Sequence, residues 1–379
     1  MTIVFTGGGT GGHFYPLIAI AEAMQDIVRE KRLVAPRLYF LSSNPFDAQS
    51  LFENSIVFIR VRAGKWRRYF SISNFTDLFA TLAGFFTALI TLFRLYPDVV
   101  VSKGGYTSVP VMLAARILGI PVVIHESDAK PGRANLFAGR FAKRIAISYE
   151  EAAHYFPKKV QGRIARTGIP VRKELLHPEI AGAREELKLE PGIPTVLVLG
   201  GSLGAKRIND TLVSALPDMV AWGNVIHQTG TGNYTEVEGI AKVALEKSPH
   251  KERYHPFPYL SALSLRRAAG VADVVISRAG SGTITEISIW KKPAILVPIP
   301  EAVSHDQRTN AYAFARTGGA VVLEESNLTP HLLVSEARRI AGNPELAKSM
   351  GEKGATFASP DAAKILAEAI LGIALSHES

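Results

Sequence analysis

Two strand-and-glycine-loop units each occur twice in this chain, in the same order. Asp98–Gly105 reads DVVVSKGG and Asp273–Gly280 reads DVVISRAG; Thr6–Gly12 reads TGGGTGG and Leu199–Ala205 reads LGGSLGA. The copies lie 175 and 193 residues apart. In each, an apolar, largely β-branched run suits a strand covered on both faces, and it ends in glycines before a helical pattern. Such a repeat predicts two similar Rossmann-like, doubly wound α/β domains facing across a cleft, with ligands at the carboxyl ends of the strands. A chain of 379 residues has the length for both.

The later copy is the more informative. Asp273–Ile276 reads as a strand, Ser277–Gly282 as a turn, and a helix is expected from Thr283, with Ile284, Ile287 and Trp290 at helical spacing. A helix N-terminus after a glycine turn is an anion site, through its N–H groups and its dipole. Glu286, expected in the first helical turn, suits sugar hydroxyls beside such an anion; the alternative is a capping carboxylate.

In the earlier copy the strand Thr2–Thr6 leads into GGGTGGH at Gly7–His13 and then a helix over Tyr15–Gln25. Gly7, Gly9 and Gly12 fit a dinucleotide fingerprint, but the second strand, Arg37–Leu41, is followed by Ser42, Ser43 and Asn44. The acidic residue that holds a dinucleotide ribose is missing, which argues against a dehydrogenase. A helix start disfavours the charged form of His13, making it a candidate general base; packing the loop is its other reading. The strand Asp98–Ser102 opens into KGGYTSVP at Lys103–Pro110, and the strand Pro121–Ile124 ends in His125, Glu126, Ser127 and Asp128, where an α/β ligand site is expected.

The chain's net charge of +9 is confined to one half: residues 1–168 hold 21 Lys and Arg against 11 Asp and Glu, and residues 169–379 hold 22 against 23. Nucleic acid, anionic lipid or a phosphorylated substrate would match a basic half, but no nucleic-acid-binding motif accompanies it. Instead, basic GKWRRY at Gly64–Tyr69 precedes an apolar helix expected over Asn74–Tyr96. Leu78–Phe93 lacks any charge over 16 residues, which falls short of a bilayer span. With Phe79, Phe85, Phe86 and Phe93 between Lys65, Arg67, Arg68 and Arg94, it suits a membrane interface; a buried domain helix is the alternative. The absence of cysteine excludes disulfides and thiolate zinc sites, and Met1 runs directly into a strand without a signal-type n-region, so a cytoplasmic protein is expected.

Taken together, GGGTGGH, GKWRRY, GGYTSVP (Gly104–Pro110), HES (His125–Ser127), GIPVR (Gly168–Arg172), GGSLGAKRIN (Gly200–Asn209), SRAG with TITE (Ser277–Glu286) and QRTNA (Gln307–Ala311) resemble the MurG family over nearly the whole chain. These are the undecaprenyldiphospho-muramoylpentapeptide β-N-acetylglucosaminyltransferases of bacterial peptidoglycan synthesis. The resemblance implies a B-type glycosyltransferase fold: an acceptor domain over 1–168, a UDP-sugar domain over 169–358, and a last helix, 361–375, returning to the first. It implies an inverting transfer of GlcNAc from UDP-GlcNAc to the 4-hydroxyl of lipid-linked MurNAc-pentapeptide, with no tightly bound cofactor or metal. Donor contacts would come from Arg172, Ser202, Phe257, Pro258, Ser281, Gly282, Thr283, Glu286 and Gln307. Acceptor contacts would come from Thr10, Gly11, Gly12, Gly104, Tyr106 and Asp128, with His13 or Glu126 as base. Further implied are peripheral binding to the anionic cytoplasmic face of the plasma membrane and no nucleic-acid partner. The alternatives are a same-fold transferase with another lipid acceptor and a UDP-GlcNAc 2-epimerase. The chain departs from the family's usual patterns at HESD (His125–Asp128), where many relatives read HEQN. It also departs at HDQ (His305–Gln307) and at Pro258 and Tyr259, where an acidic pair is common.

Overall fold

The computed structural model describes residues 1–64, 73–200, 204–303 and 306–378. The chain forms two compact units, one of Met1–Arg172 with Ser359–Ser379 and one of Lys173–Ala358.

The first unit holds seven parallel strands: β1 (Thr2–Thr6), β2 (Arg37–Ser42), β3 (Ile56–Arg60), β4 (Val99–Ser102), β5 (Val122–Glu126), β6 (Arg144–Ile147) and β7 (Ile164–Arg166), in the order β3-β2-β1-β4-β5-β6-β7. The second holds six parallel strands: β8 (Thr195–Leu199), β9 (Asn224–Gln228), β10 (Tyr254–Phe257), β11 (Val274–Ser277), β12 (Ala294–Leu296) and β13 (Ala320–Val322), in the order β10-β9-β8-β11-β12-β13. The order reverses between β1 and β4 in one unit and between β8 and β11 in the other, and ligands bind at such switch points. The repeated sequences fall on these four strands: Thr6 and Leu199 end β1 and β8, and Asp98–Gly105 and Asp273–Gly280 contain β4 and β11.

The shared aspartate of the repeat has the same job in both units. Asp98 accepts the N–H of Thr2 at 2.7 Å, and Asp273 accepts that of Thr195 at 2.8 Å. Each carboxylate joins the start of one switch-point strand to the start of its neighbour. The registers that follow are equivalent, Ile3 opposite Val99 and Thr6 opposite Ser102, against Val196 opposite Val274 and Leu199 opposite Ser277. Because both faces of each sheet are covered, these strands read as continuous apolar runs: in β1, Ile3 and Phe5 enter one core and Val4 the other.

Two helices begin earlier than expected. One runs Gly11–Glu30 rather than from Tyr15, and another Ser281–Ile289 rather than from Thr283. Glycine's poor helix propensity matters little in a first turn, whose N–H groups have no intrahelical partner anyway. Glu286 therefore lies in the second turn, not the first, and the capping reading lapses; Gly280 is the N-cap.

The helix Ser73–Leu95 is half built into its unit. Ala88 and Leu92 are fully buried, and Phe85 packs against the same core as the helix Val109–Ile117. The opposite face exposes Phe79, Leu82, Phe86, Ile90 and Phe93, a stripe at helical spacing. Asp77–Leu95 is apolar enough by length and composition to cross a membrane, but its other face belongs to a packed core. Of the four phenylalanines expected at an interface, Phe85 faces inward. Lys65, Arg67 and Arg68 lie outside the described residues. The last helix, Ala362–Glu378, lays Leu366, Ile370 and Ala374 into the core shared with the helix Gly11–Glu30.

Replacing Asp98 or Asp273 by alanine should each lower stability by about 1.5–3 kcal/mol, the worth of a hydrogen bond to a charged group. Chemical denaturation checks this, and two separate losses in two-step unfolding would assign each bond to its own unit.

Candidate active site

In the first unit the loops after β1, β4 and β5 interlock. Thr10 is the extended N-cap of the helix Gly11–Glu30, and His13 is its third residue. That spacing brings an N3 side chain back over the N-cap, and the Thr10 hydroxyl meets His13 Nδ1 at 2.8 Å. When Nδ1–H donates to Thr10, Nε2 carries the lone pair. Gly11 and Gly12 occupy the first two helical positions without side chains to cover the approach. Gly105, at a φ of 81°, packs against this loop: a methyl group there would stand 2.9 Å from the Gly8 carbonyl oxygen and 3.7 Å from the His13 ring. The Tyr106 ring lies beside Gly9.

Glu126 lies at the end of β5 and is 4% exposed. Its carboxylate accepts the N–H groups of Asp128 and Gly132 and the side-chain amide of Asn135, each at 3.0 Å. The carboxylate thus shapes its own loop, and it presents Asp128 at the turn. Gly104, at a φ of 82°, lies against the Asn135 amide, where a Cβ would come within 2.9 Å. His125 is fully buried and donates from Nε2 to the Gly168 carbonyl at 2.8 Å; burial and the neighbouring Lys103 hold it neutral, well below the usual histidine range. Arg172 belongs to this unit, its guanidinium 4.1 Å above the Tyr15 ring, and the Tyr15 hydroxyl bonds Asp47 at 3.3 Å. Sequence reasoning passed over Lys103, a lysine with 2% exposure; the only prior signal was a cation directly before two glycines at a strand's end.

In the second unit the helix Ser281–Ile289 starts from the extended Gly280, and its first backbone bond runs from Ile284 N to Gly280 O at 3.0 Å. The N–H groups of Ser281, Gly282 and Thr283 precede that bond and point out of the helix end, which is the anion site expected. All three residues and Glu286 are half-buried, hence within reach of a ligand. Gln307 opens the helix Gln307–Ala315; its side-chain oxygen accepts Ile299 N at 3.2 Å, which leaves its amide N–H₂ as the recognition end. Phe257 ends β10 with its carbonyl held by Thr229 N at 2.9 Å, and Pro258 follows exposed. Ser202 lies outside the described residues.

A buried network lies beside the end of β9. His227 in β9 bonds the Tyr254 hydroxyl at 2.9 Å and Asn209 Oδ1 at 3.0 Å, and Asn209 donates to the Thr229 carbonyl at 2.9 Å. It ties the helix Lys206–Val220 to the end of β9 and the start of β10. Among the described residues no group of three or more His, Asp or Glu is arranged to hold a metal ion.

Comparison with known proteins finds the glycosyltransferase family 28 N-terminal domain over residues 3–147 and the glycosyltransferase family 28 C-terminal domain over residues 195–366. The chain is 35% identical over 377 residues to the UDP-N-acetylglucosamine–N-acetylmuramyl-(pentapeptide) pyrophosphoryl-undecaprenol N-acetylglucosamine transferase of Treponema denticola, covering 97% of this chain and 96% of that one. Among solved structures it is similar to Acinetobacter baumannii MurG, at 26% identity and a TM-score of 0.72, covering 98% and 99%. A UDP-N-acetylglucosamine 2-epimerase from Listeria monocytogenes shares the fold alone, at 14% identity and a TM-score of 0.69, covering 100% and 96%.

Burial lowers the His227 pKa to about 3 and holds His125 below its ordinary value too. An unfolded histidine binds its proton near pH 6.5, so each contributes stability that is present above pH 6.5 and lost as pH falls towards the folded value. Stability should drop by up to about 1.4 kcal/mol per pH unit for each group below pH 6.5. Denaturant titrations from pH 7.5 to 4.5 should show this slope, and His227→Gln should be less stable at pH 7.5 but fall less steeply.

Proposed function

The chain belongs to glycosyltransferase family 28, among the MurG N-acetylglucosaminyltransferases, and from that premise we propose how its residues divide the reaction. It is a UDP-N-acetylglucosamine-dependent hexosyltransferase acting on the lipid-linked MurNAc-pentapeptide of peptidoglycan synthesis. Its fold is the B-type glycosyltransferase fold.

The reaction is an inverting transfer. The muramoyl 4-hydroxyl oxygen bonds to the anomeric carbon of GlcNAc, the bond from that carbon to the diphosphate breaks with its electron pair leaving on UDP, and the hydroxyl proton passes to His13 Nε2. The observation that carries this assignment is the Thr10–His13 pair, which orients an imidazole at a helix start on the carboxyl side of β1. The Glu126 carboxylate, by contrast, is buried and bonded to its own loop, so its role is to shape the turn that presents Asp128. Thr10, Gly11, Gly12, Gly104, Tyr106 and Asp128 form the acceptor side.

In the second unit the N–H groups of Ser281, Gly282 and Thr283 stabilise the diphosphate as its charge grows. Glu286 accepts the ribose hydroxyls, Gln307 donates to GlcNAc hydroxyls, and Phe257 and Pro258 border the uracil; Ser202 joins the diphosphate contacts. Arg172, held by Tyr15, adds positive charge for the diphosphate. Incubation with UDP-GlcNAc and lipid I, with chromatography for lipid II, tests the whole; a product formed on diacylglycerol instead, or UDP-ManNAc, would overturn it.

His13→Ala should cut turnover about 10²–10⁴-fold, as expected for a lost general base, with UDP affinity nearly intact. Near-normal turnover would remove His13 from the chemistry. Glu286→Ala should weaken UDP binding by about 1.5–3 kcal/mol in calorimetry, the worth of a charge-assisted hydrogen bond.

The exposed stripe of Phe79, Leu82, Phe86, Ile90 and Phe93, with the exposed Arg94 beside it, supports peripheral docking on an anionic membrane surface, and the face we propose is the cytoplasmic one. Liposome co-sedimentation should rise with anionic lipid and fall with salt. Phe86→Ser with Phe93→Ser should abolish most of it while leaving the melting temperature nearly unchanged, because neither ring is in the core.

A further inference from the structure

We infer that Lys103 is a positioning residue for the acceptor: its buried ammonium group locks the loop after β4 to the loop after β5, and so holds the His13, Tyr106 and Asp128 surfaces in register. This rests on the reading that the first unit receives the acceptor.

Lys103 sits where three loops cross. Its backbone N–H extends the sheet by donating to the Thr6 carbonyl, at the end of β1, at 2.9 Å. Its side chain runs inward, and Nζ donates to the Ser127 hydroxyl, directly after β5. The two residues that follow it make the close approaches already described, Gly104 to the Asn135 amide that also bonds Glu126, and Gly105 to the His13 loop. A lysine is almost never fully buried unless its charge is compensated. Here the carboxylates of Glu126 and Asp128 favour the ammonium, and the buried His125 beside it stays neutral.

The compensation comes from one short stretch at and after the end of β5: Ser127 supplies the hydroxyl that accepts from Lys103, and its two neighbours in sequence, Glu126 and Asp128, supply the charges facing it. A hydrophobic residue of the same length would fill the space without desolvating a charge, so what the ammonium adds is its bond to Ser127, which registers the two loops. Against its two carboxylates burial still prevails, and the Lys103 pKa falls to about 8. The lock is therefore charged at neutral pH and opens on the alkaline side.

The test uses the full chain, Lys103→Met and Ser127→Ala, with lipid I and UDP-GlcNAc as substrates. Lys103→Met should lower kcat/KM for lipid I by about 10-fold to 100-fold, the scale of a small misplacement of reacting groups. It should leave KM for UDP-GlcNAc within about twofold, since only the acceptor side has moved. An alkaline limb of the wild-type rate near pH 8 should vanish in this variant. Ser127→Ala keeps the ammonium without its acceptor, so its limb should move to lower pH. Hydrogen exchange of the 126–132 amides should quicken in both variants. Unchanged acceptor kinetics and pH profile in folded variants would overturn the inference, as would a loss shared equally by the donor KM. A wild-type enzyme that forms no lipid II instead overturns the acceptor reading, and the exchange measurement then decides the loop lock by itself.

Discussion

Each unit depends on one hydrogen bond between a strand's leading aspartate and its neighbour's first N–H. Asp98 fastens β4 to β1, and Asp273 fastens β11 to β8. In a parallel sheet a one-residue slip moves every side chain to the opposite face. It would also shift the strand ends along each other. With the starts pinned, Thr6 lies opposite Ser102 and Leu199 opposite Ser277, so the ends of these strands lie side by side. The anion sites and the His13 loop are consequences of that registration.

Polar groups at the strand ends divide into those that build and those that remain available for chemistry. Glu126 has its carboxylate turned into its own loop, and His125 and His227 are buried and neutral. Burying such groups is tolerated because each meets a hydrogen-bond partner in the fold. His13 differs: it is half-buried, and its bond to Thr10 orients one ring nitrogen. The same logic separates the two faces of the helix Ser73–Leu95, where Ala88 and Leu92 serve the core and Phe86 and Phe93 do not.

Much of this was legible in the chain. The doubled glycine loops announced two parallel-sheet units, and β1 and β8 fall on the residues expected of them. Local pattern suffices there, because a strand buried on both faces must be continuously apolar and a tight turn before a helix needs glycine. The apolar helix and its placement after a basic segment were visible for the same reason. The motifs named candidate site residues, since binding groups gather at strand ends.

The side-chain assignments followed from contacts distant in sequence, and the helix starts from caps that the apolar pattern does not mark. Gly11 and Ser281 already open their helices, after Thr10 and Gly280, which moved Glu286 into a second turn. Phe85 and Phe86 are neighbours of identical chemistry, and only packing under the helix Val109–Ile117 turned one inward. Lys103 carries no mark of burial in its own stretch of sequence; the end of β5 and the loop after it supply Ser127 and two carboxylates 23 to 25 residues away. Periodicity and turn chemistry are local properties and survive in the string of residues. Burial and charge compensation depend on which strand lies next to which, and the parallel sheet decides that through residues far apart in the chain.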